Sequence, residues 1–373
     1  MRLFTLFTLF LFCNVMYAED FVYKRSVKLP KINSSDKTFH FSNGPIAYNP
    51  STGGYVVRGN ANYNNCQEVI LSDVDGGMCI LSGAWFNPTY GIDVSERART
   101  NSWYRIRGMV ITDEGNLRCC LSRWYNVSGS NEFPFLTGDL IQSKSYGPWN
   151  GGQHSLRLGG YITPLSPALR LHFGVRYGGG ETSPEGTAAS HDGPALYVFD
   201  FPQNTLTQFS TFTSTKVYGF DDPSPYPGWH HSHTIASIHS LPNKVIWMGR
   251  EGYSDIVDVP PDTKGHMPSY WYGGGTKTFI KTDGSSITVT DEVYPNVTGQ
   301  HSQKYRFRGI GLLNSKIIAG NVQPTDFFEF NLPECVGRTK TFPSAYNYHT
   351  SELVVLDVQS DGDQPTLRIY GVK

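Results

Sequence analysis

One eight-residue pattern occurs twice in the chain, as Tyr104-Arg-Ile-Arg-Gly-Met-Val-Ile111 and as Tyr305-Arg-Phe-Arg-Gly-Ile-Gly-Leu312. Each copy is an apolar run led by an Arg-x-Arg-Gly step. A polar turn follows (Thr112 to Asn116; Asn314-Ser315), then a second apolar run (Leu117 to Leu121; Lys316 to Ala319). The copies stand 201 residues apart, too far for a hairpin and close to three modules of about 67. Gly44 to Val57 and Thr234 to Trp247 repeat the strand–turn–strand form more weakly. From Gly44 through Gly108 and Ile235 to Gly309 the steps are 64, 127 and 74, so the middle step is double. Five modules fill the chain on this count. The expected fold is all-β: a five-bladed β-propeller with blades of about four antiparallel strands.

Composition agrees. Aromatic residues make up 14% of the 373 residues, with 39 Gly and 23 Pro, which suits many short strands joined by tight turns. Helix signals are nearly absent, the best being Ile92 to Arg99 with Asp93 as N-cap, so strands do not alternate with helices as an α/β sheet requires. The modules run at about 39–82, 83–145, 146–215, 216–292 and 293–373, with no linker or charge run between them. Phe21 to Leu29 reads as a first strand, and Leu353 to Leu356 and Leu367 to Val372 as the last two. Pairing the N-terminal strand with the last blade would close the ring and remove an exposed edge. Residues 19–373 therefore read as a single domain.

Residues 1–18 read as a secretory signal peptide: Arg2, an apolar stretch from Leu3 to Val15, and Ala18 before the cut. That stretch is short of the ~20 residues of a membrane span, and no later segment replaces it. Secretion makes disulfides admissible. Cys66 and Cys79 are spaced for a local staple, while Cys335 pairs with Cys119 or Cys120, Cys120 being the partner preferred here. Asn33, Asn126 and Asn296 head glycosylation sequons. The balance of 31 basic to 32 acidic residues leaves a net charge of −1, which argues against nucleic acid as the partner. A monomer is expected.

Three segments carry a resemblance. The first joins Tyr146-Gly-Pro-Trp149, Gly159-Gly-Tyr-Ile162 and Ser190-His-Asp-Gly-Pro-Ala-Leu-Tyr-Val-Phe-Asp200. The second is Asn243-Lys-Val-Ile-Trp-Met-Gly-Arg-Glu-Gly252, and the third Thr263-Lys-Gly-His-Met-Pro-Ser-Tyr270. Together they resemble a five-bladed propeller type found in uncharacterised secreted proteins of bacteria, fungi and phage particles. Glu251 stands where that type often has His, and a cysteine often found after the turn is missing. The resemblance implies the fold and carries no assigned activity.

Candidate chemistry falls in loops near the start of each innermost strand. Arg107 and Arg308 occupy matching places in the repeat. They either face an anionic or hydroxyl-rich ligand or are each locked to a neighbouring blade's carboxylate or carbonyls, repeated because the fold repeats. Arg250, in the Gly-Arg-Glu-Gly turn, joins them as a ligand-binding candidate. Trp229-His-His-Ser-His233 is the densest histidine cluster. His231 and His233 can share a strand face, with His154 and His266 as distant partners, either for a metal or for local hydrogen bonds. No metal or other cofactor is specified. For glycoside cleavage, carboxylates are available at Asp93, Glu96, Asp221, Asp222, Glu251 and Asp255. Asp222, Glu251 and His231 are the catalytic candidates. Aromatics near loops include Trp85, Tyr90, Trp103, Trp149, Tyr226, Trp229, Trp271 and Tyr272, of which Trp229 and Trp271 sit beside polar Gly- and Pro-rich runs suited to stacking on sugars. The expected function is recognition of extracellular or cell-surface carbohydrate at one end of the channel. The alternatives are a glycoside hydrolase or polysaccharide lyase, and a structural or protein-binding propeller of a surface layer or virion.

Overall fold

The computed structural model describes residues 21–32, 34, 36–39, 44–60, 63–89, 104–123, 135–139, 145–149, 158–180, 194–201, 212–218, 234–253, 270–272, 277–280, 286–289, 299–301, 304–333, 342–361 and 364–373. Strand β1 (Phe21–Lys28) precedes a first group made of β2 (Ile46–Tyr48), β3 (Tyr55–Arg58), β4 (Cys66–Ile70), the two-residue β5 (Gly77–Met78) and β6 (Ile80–Phe86). A second group holds β7 (Tyr104–Ile111), β8 (Asn116–Arg123), β9 (Phe135–Asp139) and β10 (Ser145–Trp149). A third holds β11 (Tyr161–Pro164), helix α1 (Pro167–Phe173), β12 (Tyr177–Gly180), β13 (Leu196–Phe199) and β14 (Ser214–Tyr218). The fourth opens with β15 (Thr234–Ser240) and β16 (Lys244–Tyr253). It inserts the two-stranded pairings of β17 (Tyr270–Tyr272), β18 (Lys277–Ile280), β19 (Ser286–Val289) and β20 (Gly299–His301), and resumes with β21 (Lys304–Leu313), α2 (Asn314–Ala319) and β22 (Phe327–Phe330). The chain ends with β23 (Ser344–Asn347), β24 (Glu352–Asp361) and β25 (Gln364–Val372).

These strands form a β-propeller arrangement. Four sheets have the four-stranded blade form, in the orders β2-β3-β4-β6, β7-β8-β9-β10, β11-β12-β13-β14 and β15-β16-β21-β22. Besides the two-stranded pairs β17-β20 and β18-β19, a further sheet joins the first and last described strands and has five strands in the order β23-β24-β25-β1-β5. Here β1 pairs antiparallel with β25, from Phe21 opposite Val372 to Lys28 opposite Thr366, and β5 pairs parallel with β1. The first strands β2, β7, β11, β15 and β23 touch one another in a closed series, with β23 returning to β2.

Sandwiching each sheet between two others explains why its middle strands are apolar on both faces. Leu353 and Val355 of β24 point into one core with Ile246 and Met248 of β16, whereas Val354 and Leu356 point into another with Val27 and Val69. The same alternation splits the adjacent Cys119 and Cys120 between two cores. Polar side chains also link neighbouring sheets. Arg58 is fully buried and donates from Nη1 to the Ile106 carbonyl at 2.8 Å and from Nε to the Tyr63 carbonyl at 3.1 Å.

The repeated octapeptide does not mark equivalent strands, contrary to its reading as a repeat. Its first copy is β7, the innermost strand of the second blade, and its second is β21, the third strand of the fourth blade. The shared glycine does different work in each. A Cβ on Gly108 would lie 2.9 Å from the Ile162 nitrogen on the adjoining sheet; one on Gly309 would lie 2.4 Å from the Phe330 ring in its own. The long insertion between β16 and β21 stretches the fourth blade to residue 330, so the boundary drawn at 292–293 falls inside it. The run after the second copy, Lys316 to Ala319, is helical.

The Cys66–Cys79 staple is also corrected. Both are thiols, on opposite faces of the first blade: Cys66 packs with Met109 and Cys119, Cys79 with Val27 and Leu29. Cys120 is a buried thiol, and its expected partner Cys335 lies outside the described residues. Outside them too are residues 1–20, the Ile92 to Arg99 helix candidate, and Asn33, Asn126 and Asn296. Among the described residues, no helix is long and apolar enough to cross a membrane.

Candidate functional site

Most expected site residues lie in segments that are not described: His154, Asp222, Trp229, His231, His233 and His266, together with Asp93, Glu96, Asp221 and Asp255. Arg250 and Glu251 stand on β16 opposite Phe307 and Arg306, and Trp271 stands on β17 opposite Gln300. Arg107 is half-buried on β7. Arg308 is buried on β21 and its Nη2 donates to Glu329 Oε1 at 2.7 Å, on the neighbouring strand β22. Arg308 is held by a carboxylate, but by one on the next strand of its own blade and not by a neighbouring blade as the second reading expects. Lying two blades apart on non-equivalent strands, Arg107 and Arg308 do not form a pair. Trp149 is fully buried in a core and presents no stacking surface, while Trp85 is partly buried and packs on Phe39. Among the described residues, no three His, Cys, Asp or Glu side chains gather to hold a metal.

The convergence that does occur lies at the far ends of the innermost strands. There β2 ends in Tyr48, β7 in Ile111 before the Thr112–Gly115 turn, and β23 in Asn347 before the turn 348–351. The Asn347 carboxamide shapes that last turn, its Oδ1 accepting the His349 and Thr350 amides at 3.0 and 3.2 Å. This fixes Tyr348 and His349 outward, their rings 4.4 Å apart. Tyr48 meets both edge-on, at 5.7 Å from Tyr348 and 6.0 Å from His349, and packs on Tyr55 behind it. The rings hold one another in place by edge-to-face contacts.

Polar groups border this aromatic cluster. The Tyr348 hydroxyl donates to Asp113 Oδ1 at 2.5 Å, joining the fifth sheet to the second blade. Burial and the Asp113 carboxylate raise the Tyr348 pKa, so the phenol stays protonated and keeps donating; Arg170 on α1 opposes them weakly. Glu114 beside Asp113 is held below its ordinary value, chiefly by the Thr112 hydroxyl, and is ionised near neutrality. On the other flank Asn49 Nδ2 donates to Glu68 Oε1 at 2.8 Å, and the Thr52 hydroxyl donates to the same oxygen. The Thr350 hydroxyl donates to Glu352, whose other oxygen pairs with Lys24 at 2.9 Å. Tyr348 is 42% exposed despite these contacts, and His349 is exposed too. An open ring beside fixed carboxylates and hydroxyls offers an apolar face and hydrogen-bond acceptors to one ligand.

Sequence reading passed over this cluster. Asn347-Tyr-His-Thr350 is a four-residue turn between apolar strands, and nothing local marks it as meeting Tyr48 and Asp113, each more than 200 residues away. The available signal was composition: two aromatic-type rings in a turn that needs only polar residues.

Deeper along the same strands the histidine chemistry is structural. His239 on β15 is buried, its Nε2 lying 2.7 Å from the Ser344 hydroxyl of β23, with the Ser237 hydroxyl 2.5 Å from the same oxygen. Burial pushes the His239 pKa down to about 3, so the ring is neutral and serves as a link between sheets. No family model matches this chain, and no curated protein matches it.

Proposed function

We propose that this chain is a secreted five-bladed β-propeller that recognises carbohydrate on a cell surface or in the extracellular matrix. Counting five blades is supported by the closed series of five innermost strands and by the sheet that joins the first and last described strands. In that sheet β23, β24 and β25 are completed by β1 as a fourth strand, with β5 as an accessory on its outer side. Secretion is supported by the leader-like residues 1–18, and kinship with the uncharacterised secreted propellers by the three segments quoted above. The single observation that carries the carbohydrate reading is the exposed Tyr348 ring, fixed by Tyr48, His349 and Asp113. Sugars offer an apolar C–H face to such a ring and hydroxyls to the carboxylate beside it. The site sits at the strand-end mouth of the propeller, opposite the loops from which the sequence led us to expect it.

Glycan-array binding run beside a screen of polysaccharide substrates tests the proposal. The expected result is selective binding without turnover, unchanged in Glu251→Gln and Asp222→Asn. Turnover abolished by either substitution would instead establish a hydrolase or lyase. No glycan bound at all would leave a structural or protein-binding propeller.

A further inference from the structure

The turn that anchors Tyr348 carries more charge than the anchoring uses. Asp113 and Glu114 are consecutive and both exposed between β7 and β8. Backbone contacts fix their placement: the Gly115 amide donates to the Thr112 carbonyl at 2.9 Å, with Gly115 at positive φ, and the Asn116 amide donates to the Thr112 hydroxyl at 3.2 Å. Of the two carboxylates, the Tyr348 phenol takes one oxygen, Asp113 Oδ1. In the ring of innermost strands β2 lies between β23 and β7, so this bond passes over the first blade and rests the Tyr348 ring against Tyr48. Across the turns that meet here, 49–54, 112–115 and 348–351, Asp113 and Glu114 are the only acidic or basic side chains apart from His349. Nearby cations are engaged elsewhere. Arg176 Nε donates to Asp200 at 3.1 Å, Arg118 lies over the Phe201 ring at 5.2 Å, Arg170 Nε donates to the Leu165 carbonyl at 2.6 Å, and Lys24 pairs with Glu352.

We propose that this rim selects sugars bearing a free amine, the C–H face of an amino sugar stacking on Tyr348 while its ammonium group lies against the Asp113 and Glu114 carboxylates. The inference rests on the carbohydrate reading of the same rim and narrows its ligand to one class. An ammonium group gains twice here, from the negative face of the aromatic ring and from charge-assisted hydrogen bonds to the carboxylates. Donation of the phenol proton to Asp113 also polarises the Tyr348 ring towards greater electron density, which strengthens the first of these. Other sugar classes fit less well. A sugar acid would set its own carboxylate against two more, and an N-acetylated sugar would bring a neutral amide to a place that rewards positive charge.

Calorimetric titration of the full chain with a glucosamine tetramer, its N-acetylated counterpart and a galacturonic acid tetramer is the test, run on wild type, Glu114→Gln, and Asp113→Asn combined with Glu114→Gln. Asparagine still accepts the Tyr348 phenol and both positions are exposed, so the variants should melt with wild type and keep the ring in place. The expected result is a preference of about tenfold or more for the glucosamine tetramer over its N-acetylated form, no measurable binding of the acid, and a loss of that preference in the double variant. Raising the salt concentration should weaken binding of the amine more than that of the amide. Equal affinity for the two tetramers, or a preference that survives the double substitution, would overturn the inference while leaving the carbohydrate reading intact. Failure of every glycan to bind would overturn both.

Discussion

Replacing Val27 by Ala should weaken the whole propeller even though β1 lies at the end of the described chain. Val27 is fully buried opposite Leu367, in the core shared by Val69, Val354 and Leu356. Truncation removes two methyl groups, about 1.6 kcal/mol at ~0.8 kcal/mol per carbon. The cavity left between two sheets brings the total to about 2–3 kcal/mol. Val22 supplies an internal control, since it occupies the same strand but is 44% exposed. Its replacement by Ala should fall within ~0.5 kcal/mol of wild type. In urea, with a slope near 3 kcal/mol/M, Val27→Ala should move the midpoint down by about 0.8 M. Tryptophan fluorescence can follow the transition, because Trp247 and Trp149 are buried in other cores. If closure through β1 stabilises the ring as a unit, a single transition shifts as a whole. Equal effects of the two valine substitutions, or a β1 deletion of residues 21–30 that leaves the transition unchanged, would refute that role for the strand.

Three further outcomes follow from particular contacts. His239 is neutral in the folded state with its pKa depressed to about 3, while an unfolded histidine titrates near ~6.5; its contribution is therefore intact above that value and lost as pH falls from ~6.5 towards 3. A His239→Gln variant should show a flatter decline of urea midpoint over that range, and an unchanged slope would contradict the assignment. Arg368→Met strands the buried Asp357 carboxylate, which Arg368 Nε meets at 2.8 Å, and should cost roughly 3–5 kcal/mol; Asp357→Leu added to it should recover most of that, as read in the same titration. Gly108→Ala forces a Cβ against the backbone of the next sheet and should destabilise by about 1–3 kcal/mol; in contrast, Arg308→Met, whose partner Glu329 is largely exposed, should cost about 1 kcal/mol or less.

The sequence revealed the architecture more readily than its bookkeeping. Strand-rich composition, the turn residues and the terminal apolar runs all pointed to a propeller closed by Phe21 to Leu29, because burial and turn chemistry are local signals. The octapeptide misled because Arg-x-Arg-Gly before an apolar run suits any strand buried on both faces. It recurred on β7 and β21 for separate packing reasons, Gly108 clearing Ile162 and Gly309 clearing Phe330. Helix α1 had legible punctuation in Pro167 and the left-handed Gly174, but its seven residues were too few to show a helical period. Spacing alone suggested the Cys66–Cys79 bridge, but the register sets Cys66 opposite Phe86, while Cys79 precedes Ile80, which stands opposite Ile70 at the other end of the pairing. The aromatic rim was illegible for a different reason: Tyr48, Asp113 and Tyr348 become neighbours only when the ring closes.

Calorimetric titration of the best array ligand into wild type and Tyr348→Ala tests the carbohydrate claim most directly. Tyr348 is exposed, so the variant should fold normally while losing at least tenfold in affinity, about 1.4 kcal/mol, with Asp113→Asn weakening binding in the same direction. A glycan that binds Tyr348→Ala as tightly as wild type would contradict the account.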